Sequence, residues 1–249
     1  MSGAVGVPRR GLVEPTIFAV AGVAVLIALG VWQLDRKAWK ENLIATVTAR
    51  LNQAPQPLPA RATWPNLTQA DNEYRRVTFP AQFLPGQEAL VYTAGSAFRP
   101  DVQGPGYWVF APARLAGGSI VIVDRGFVPL EGKSAAPHAA ASKDMIDIVG
   151  VMRWPEQRGL FTPADEPQNN VWYARDPEAI AKVHHWQDFA PFYIEQESPA
   201  PEGGLPKLGK LTVALPDNHM QYAITWFGLA AGLAGVYIVW LRRRLTGRD

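Results

Sequence analysis

Hydrophobic positions fall into three regimes along the chain. Residues 16–34 and 222–241 are apolar runs of roughly 19 to 20 residues with no internal charge, and at ~1.5 Å rise per residue each covers the ~30 Å hydrocarbon core of a bilayer. Past the first run, Trp39, Leu43, Val47 and Leu51 recur at helical spacing. This predicts that the helix continues or restarts as an amphipathic segment until the prolines of Ala54-Pro55-Gln56-Pro57 end it. The pattern then shortens to β-branched and aromatic stretches bounded by Pro and Gly, at 76–83, 89–93, 107–112, 119–128, 146–153, 171–174, 192–195 and 211–215. Such spacing predicts a mostly antiparallel sheet or open barrel. Leu115-Ala116-Gly117-Gly118-Ser119 reads as a hairpin turn, 133–143 as a surface loop, and Asp176-Pro177-Glu178 as the start of a helix running to about Val183, with Asp176 as N-cap.

The predicted fold class is therefore a membrane protein, with N- and C-terminal transmembrane helices flanking one mostly antiparallel, α+β outer domain. Its expected divisions are a tail at 1–15, a span at 16–34, the β-rich domain at 35–220, a second span at 221–241 and a basic tail at 242–249. A cleaved signal peptide is the alternative for the first run, but Gly30-Val31-Trp32-Gln33-Leu34 offers no small-x-small cleavage site. Arg9 and Arg10 before the first run, and Arg242, Arg243, Arg244 and Arg248 after the second, predict cytoplasmic termini and a periplasmic domain. Arg36, Lys37 and Lys40 pull the other way, and the Arg242–Arg244 cluster with an even number of spans outweighs them. A tail of 15 residues with two arginines is short for a mitochondrial presequence, which favours a bacterial inner membrane.

Charge and composition narrow the chemistry. The formal net charge of +2 comes from the tails, because residues 35–220 carry 18 Lys plus Arg against 20 Asp plus Glu. No electrostatic footprint for nucleic acid follows. The chain has no cysteine and only four methionines, which removes thiol redox chemistry and the ligands of a copper carrier. There is no Gly-x-Ser-x-Gly and no phosphate loop, and Gly104-Pro105-Gly106 lacks the context of a dinucleotide site. His184 and His185 are adjacent, so on a helix they diverge by ~100° and cannot chelate one metal together. Asp165-Glu166 sits in a Pro-flanked stretch and reads as a solvated turn. Arg125 and Arg175, in Asp124-Arg125-Gly126-Phe127-Val128-Pro129 and Trp172-Tyr173-Ala174-Arg175-Asp176, are either intradomain pairs fixing strand ends or recognition groups for an anion or partner.

His219, entering the second apolar run, is the most specific candidate. A neutral imidazole is a good ligand for haem iron, and the bilayer boundary is where an amphipathic porphyrin rests. At 100° per residue, Ala223, Trp226, Ala230, Leu233 and Tyr237 fall within ~40° of it. Gly228, Gly232 and Gly235 lie on the opposite side, which predicts close packing of the glycine face against Ala19 and Gly22 of the first span, leaving the histidine face open. The bland alternative is that His219 and Trp226 are interfacial anchors.

At these residues the chain resembles the surfeit locus protein family of cytochrome c oxidase assembly factors. The resemblance rests on Gly30-Val31-Trp32-Gln33-Leu34-Asp35-Arg36-Lys37-Ala38-Trp39-Lys40, Gly106-Tyr107-Trp108-Val109, the two arginine segments, Gly150-Val151-Met152-Arg153, Phe161-Thr162-Pro163 and the Asn218-His219 segment, in order. Asp124 and Phe127 stand where many relatives carry Asn and Trp, and Asp217 and Met220 where Asn and Leu are common. The resemblance implies a non-enzymatic role in building the haem-copper oxidase catalytic subunit, by binding haem a and assisting its insertion. His219 would be the axial iron ligand, with Tyr222, Ala223 and Trp226 covering part of the porphyrin. Partner-binding or structural roles would fall to Arg125, Gly126, Pro129, Trp172 and Arg175. The implied partners are the oxidase catalytic subunit, haem a synthase as a candidate donor, and membrane lipid. A protein-only scaffold that stabilises an oxidase intermediate without touching haem is the competing expectation.

Overall fold

The computed structural model of the protein describes residues 10–96, 98–131, 144–201, 203–212 and 217–246. The expected loop at 133–143, Arg9, Arg248 and positions 213–215 of the last expected strand lie outside them, and Leu211 and Thr212 belong to no strand. The chain divides into two compact units, Met1–Ala45 with Leu215–Asp249, and Thr46–Ala214.

The first unit is a helix pair. Helix α1, Arg10–Leu51, runs 17 residues past the expected end of the first span, as the Trp39, Leu43, Val47 and Leu51 spacing predicts. Helix α4 is His219–Thr246. Among the described residues these are the two helices long and apolar enough to cross a membrane by length and composition. They run antiparallel, since Gln33 meets His219, Gly30 meets Phe227, Gly22 meets Leu233 and Thr16 meets Tyr237. The face that packs reverses the expected one. Positions 219, 223, 226, 230, 233, 237 and 240 of α4 are buried or half-buried, a three-and-four alternation that defines a helix–helix seam. Gly228, Gly232 and Gly235 have open space around them. The glycines at the contact belong instead to α1, facing an α4 seam that buries Ala223 and Ala230. A Cβ on Gly30 would lie 2.6–2.9 Å from the Phe227 ring, and one on Gly22 would lie 2.9 Å from Leu233 Cδ2.

The second unit is built on one eight-stranded sheet. Its strands are β1 (Gln56–Pro57), β2 (Arg76–Phe83), β3 (Ala89–Thr93), β4 (Gly106–Arg114), β5 (Ile120–Pro129), β6 (Ile146–Arg153), β7 (Val171–Trp172) and β8 (Phe189–Ser198), in the order β1-β2-β6-β8-β5-β4-β3-β7. An additional β2–β4 pairing, Gln82 to Arg114 and Phe83 to Ala113, closes β2-β6-β8-β5-β4 into a barrel. Most pairings are antiparallel, as expected, and three, β1–β2, β3–β7 and β5–β8, are parallel, so the sheet is mixed.

Alternation along the strands produces two main cores. Val77, Phe79 and Phe83 of β2, Val121 and Val123 of β5, Ile148 and Met152 of β6, and Phe192 and Ile194 of β8 pack together inside the barrel, with Trp64 from a 3-10 helix at Arg61–Asn66. The opposite side carries Trp108, Phe110, Ile122, Trp172, Tyr193 and Trp186, covered by helix α3, Pro177–His184. With both faces covered, β4 and β5 are buried along almost their whole length. Helix α3 opens as expected, Asp176 Oδ1 accepting from the N–H groups of Glu178 and Ala179 at 3.0 and 3.1 Å. The β4–β5 hairpin turns at 115–119, with Gly118 at φ +88°. A four-residue helix, α2 (Gln69–Asn72), and the last turn of α1 complete the unit; Arg50 donates to the carbonyls of Glu73 and Ala70 at 2.9 and 2.8 Å.

Candidate functional site

His219 is the first residue of α4, and its backbone N–H is capped by Asp217 Oδ1 at 3.0 Å. Its ring Nδ1 lies 2.8 Å from Gln33 Oε1 on α1. In the neutral ring, a carbonyl oxygen as partner places the proton on Nδ1 and leaves the lone pair on Nε2. This is the tautomer in which Nε2 can bind a metal, and a polar partner on the other ring nitrogen is the usual way such a ring is oriented. The sequence motif around Gly30 contained Gln33, but nothing in it marked Gln33 as the partner of His219.

Around His219 the expected porphyrin cover divides. Tyr222 is exposed and Trp226 half-buried, so both are accessible from outside the helix pair. Ala223 is buried in the seam at 1% exposure and is unavailable to a ligand, which corrects its expected role. His219, with Tyr222 and Trp226 accessible beside it, is a residue set that would suit a planar metal-bearing group at the edge of the helix pair. An apolar groove of about 390 Å³ lies elsewhere on the pair, lined by Ala19, Val23, Ile27, Ala234, Tyr237 and Ile238. At ~1.5 Å per residue its α4 residues begin about 22 Å from His219, so it is a separate feature.

In the β domain, three neighbouring strands bring charges to one buried face. Register pairs Asp124 of β5 with Glu195 of β8, and Tyr193 of β8 with Arg153 of β6. Arg153 Nη1 donates to Glu195 Oε2 at 3.0 Å, and Arg153 Nε lies 3.5 Å from Glu73 Oε1. Arg175, arriving from beyond β7, lies over the Trp108 ring at 4.6 Å, 3.8 Å from Glu195 Oε2, 3.7 Å from Glu156 Oε1 and 3.5 Å from the Tyr193 hydroxyl. A cavity of about 340 Å³ opens here, lined by Tyr92, Phe98, Trp108, Arg153, Glu156 and Arg175 among others. Burial pushes the Asp124 carboxyl up to about 7 against the attraction of Arg175, and pushes the Tyr193 hydroxyl up to about 12. Burial opposes the charge on Arg175, but Tyr193, Glu195, Asp124 and Glu156 together outweigh it and hold the guanidinium protonated. Asp124 Oδ1 accepts from the Gly126 N–H at 3.0 Å, while Asp124 Oδ2 and Glu195 Oε1 are buried without a hydrogen bond.

The other sequence candidates are structural. Arg125 is buried on the barrel side, over the Phe83 ring at 4.6 Å, and its Nε and Nη1 make no hydrogen bond. Burial lowers its pKa, with Glu88 opposing. It is thus not a surface group that could meet a partner. Gly126 is required by its backbone: φ is +115°, and a Cβ would meet Lys207 O at 2.6 Å. Pro129 ends β5 opposite Gly106. Trp172, at 1% exposure, belongs to the second core, and the His184 ring lies between Trp172 and Trp186 at 5.8 and 4.8 Å. Asp165 and Glu166 form no solvated turn. Asp165 pairs with Arg158 and accepts from the Tyr173 N–H at 2.9 Å, and Glu166 accepts from the Tyr173 hydroxyl at 3.0 Å. The signal for the Arg153, Glu195 and Asp124 cluster was weak, because its members lie on different strands far apart in sequence.

Two apolar terminal helices flanking a mixed β domain, with a polar tie between the helices at one end, define the class of protein. A family model described as SURF1 family matches residues 20–231. The chain is 33% identical to a SURF1-like protein of Monosiga brevicollis, covering 90% of this chain and 86% of that one. It is 32% identical to Surfeit locus protein 1 of Mus musculus, covering 89% and 74%. A SURF1-like protein of Rickettsia conorii is 29% identical, with 89% of each chain covered. The chain belongs to the SURF1 family.

Proposed function

We propose that this chain is a non-enzymatic assembly factor for haem-copper cytochrome c oxidase, residing in a bacterial inner membrane, and that it holds haem a as cargo at His219. Family membership is consistent with the oxidase assembly role. The haem reading rests on one observation, the 2.8 Å contact of His219 Nδ1 with Gln33 Oε1, which leaves Nε2 as the lone-pair donor. Gln33 would hold the ring, Nε2 would ligate the iron, and Tyr222 and Trp226 would lie beside the macrocycle. A single axial nitrogen at the edge of a helix pair grips moderately, as suits a carrier that must release its cargo. The apolar helices α1 and α4 would anchor the chain, with both termini cytoplasmic and the β domain periplasmic. The oxidase catalytic subunit would be the acceptor and haem a synthase the donor. His219→Ala should abolish co-purifying haem a; unchanged haem content would end this reading.

A protein-only scaffold is the second reading. It is favoured by the seam itself, since a His–Gln contact between packed helices is also what a purely structural interhelical tie looks like. It predicts that His219→Ala leaves oxidase assembly intact.

A further inference from the structure

The segment between β6 and β7 carries the most exposed large apolar side chains among the described residues, Leu160 at 99% and Phe161 at 97%. Isolated exposed apolar residues are ordinary. Here two are adjacent and sit at the tip of a built turn. The Thr162 N–H donates to Gly159 O at 3.1 Å, and the Gly159 N–H donates to Thr162 Oγ1 at 3.0 Å. Below the tip, Arg158 Nη1 donates to Pro163 O at 2.9 Å and Nη2 pairs with Asp165, whose other oxygen takes the Tyr173 N–H. The base is pinned on both sides, by the Glu156 N–H to Arg175 O at 3.1 Å and by the bridge of Glu166 to Val171. Nothing inside the domain needs the two side chains, yet the turn is arranged to present them.

We infer that the Leu160–Phe161 tip is a docking anchor that inserts into an apolar pocket of a protein partner whose rim is basic. An aromatic and an aliphatic side chain side by side are the composition of an interface anchor, and a turn already fixed loses little freedom on binding. Charge argues for protein over lipid. Residues 155–167 contain Glu156, Asp165 and Glu166 against Arg158 alone; Glu156 faces the buried Arg175 at 3.7 Å, and Arg158 is committed to Asp165. A loop with a net negative charge and no free cation is repelled by an anionic membrane surface, and it complements a basic rim.

The identity of the partner rests on the proposed function: it is the oxidase catalytic subunit in its assembly intermediate. The test uses the full-length tagged protein in cells that make the oxidase, comparing the wild type with L160S/F161S and with p-benzoylphenylalanine in place of Phe161. Because both side chains are solvent-exposed, the double variant should keep the thermal stability of the wild type while retaining at least tenfold less oxidase subunit. Ultraviolet irradiation should join position 161 to that subunit. Equal retention by the double variant, or adducts with lipid only, overturns the docking anchor and leaves the assembly role standing. A wild type that retains no oxidase subunit, with position 161 cross-linked to another protein, overturns the assembly reading and with it the partner assigned to the anchor.

Discussion

Replacing Asp124 with asparagine should stabilise the β domain at alkaline pH and leave it nearly unchanged at acid pH. The carboxyl is fully buried, and its environment pushes it up to about 7 from an ordinary 3.8, burial being the main cause. Between those values the folded chain holds a proton that the unfolded chain has released. The contribution of this group to stability is therefore fully present below about pH 4, is lost as pH rises toward 7, and levels off once both states are ionised. At ~1.4 kcal/mol per pH unit, a gap of about 3 units amounts to about 4 kcal/mol. Asparagine has the shape of the protonated acid and can still accept from the Gly126 N–H through its carbonyl oxygen. The variant should thus match the wild type at pH 4 and exceed it at pH 8 by up to about 4 kcal/mol, roughly 10 °C in Tm for a domain of this size. Thermal unfolding of the detergent-solubilised full chain can be followed through the buried tryptophans Trp64, Trp108, Trp172 and Trp186. Subtracting the two curves cancels the titrating groups that do not interact with Asp124. A Tm difference that does not change between pH 4 and pH 8 would refute the assignment of a buried, reluctant carboxylate at 124.

Three further outcomes follow from the contacts. Arg153→Met removes the 3.0 Å partner of buried Glu195 and should cost about 3–5 kcal/mol in a denaturant titration, with part regained by adding Glu195→Gln. Gly30→Val drives a side chain into the Phe227 ring, 2.6 Å from the new Cβ, and should loosen the helix pair by about 1–3 kcal/mol; Phe227→Ala in the same chain should restore it, as read by protease sensitivity in detergent. Gln33→Leu leaves His219 in place but unoriented, and should weaken haem a retention about 10- to 100-fold, measured from the haem-to-protein ratio after purification.

Much of the fold was legible where β-branched and aromatic runs met Pro and Gly punctuation. Strands β2, β3 and β6 begin and end where the pattern does, at Arg76–Phe83, Ala89–Thr93 and Ile146–Arg153. The two-residue β1, Gln56–Pro57, carries no alternation and was hidden in a proline run. Parallel pairing of β5 with β8 was not legible either, because a strand's residues announce which face is buried but not which neighbour it meets. The His219 stripe exists as a stripe, but it faces α1 rather than open surroundings. A glycine repeat on α4 suggested the packing face, whereas the notches that accept Phe227 and Leu233 are Gly30 and Gly22 on α1. Choosing between two faces of one helix requires its partner's surface, which one sequence segment does not contain. The arginines illustrate the same limit: Arg125 and Arg175 stood out by context, while Arg153, which holds Glu195, acquires its role only from strand register.

The central claim is tested most directly by the absorption spectrum of the purified full-length protein, co-expressed with haem a synthesis, wild type beside His219→Ala. A reduced haem a band in the wild type that disappears in the variant is the predicted result; a colourless wild type, or a band of equal strength in both, would contradict it.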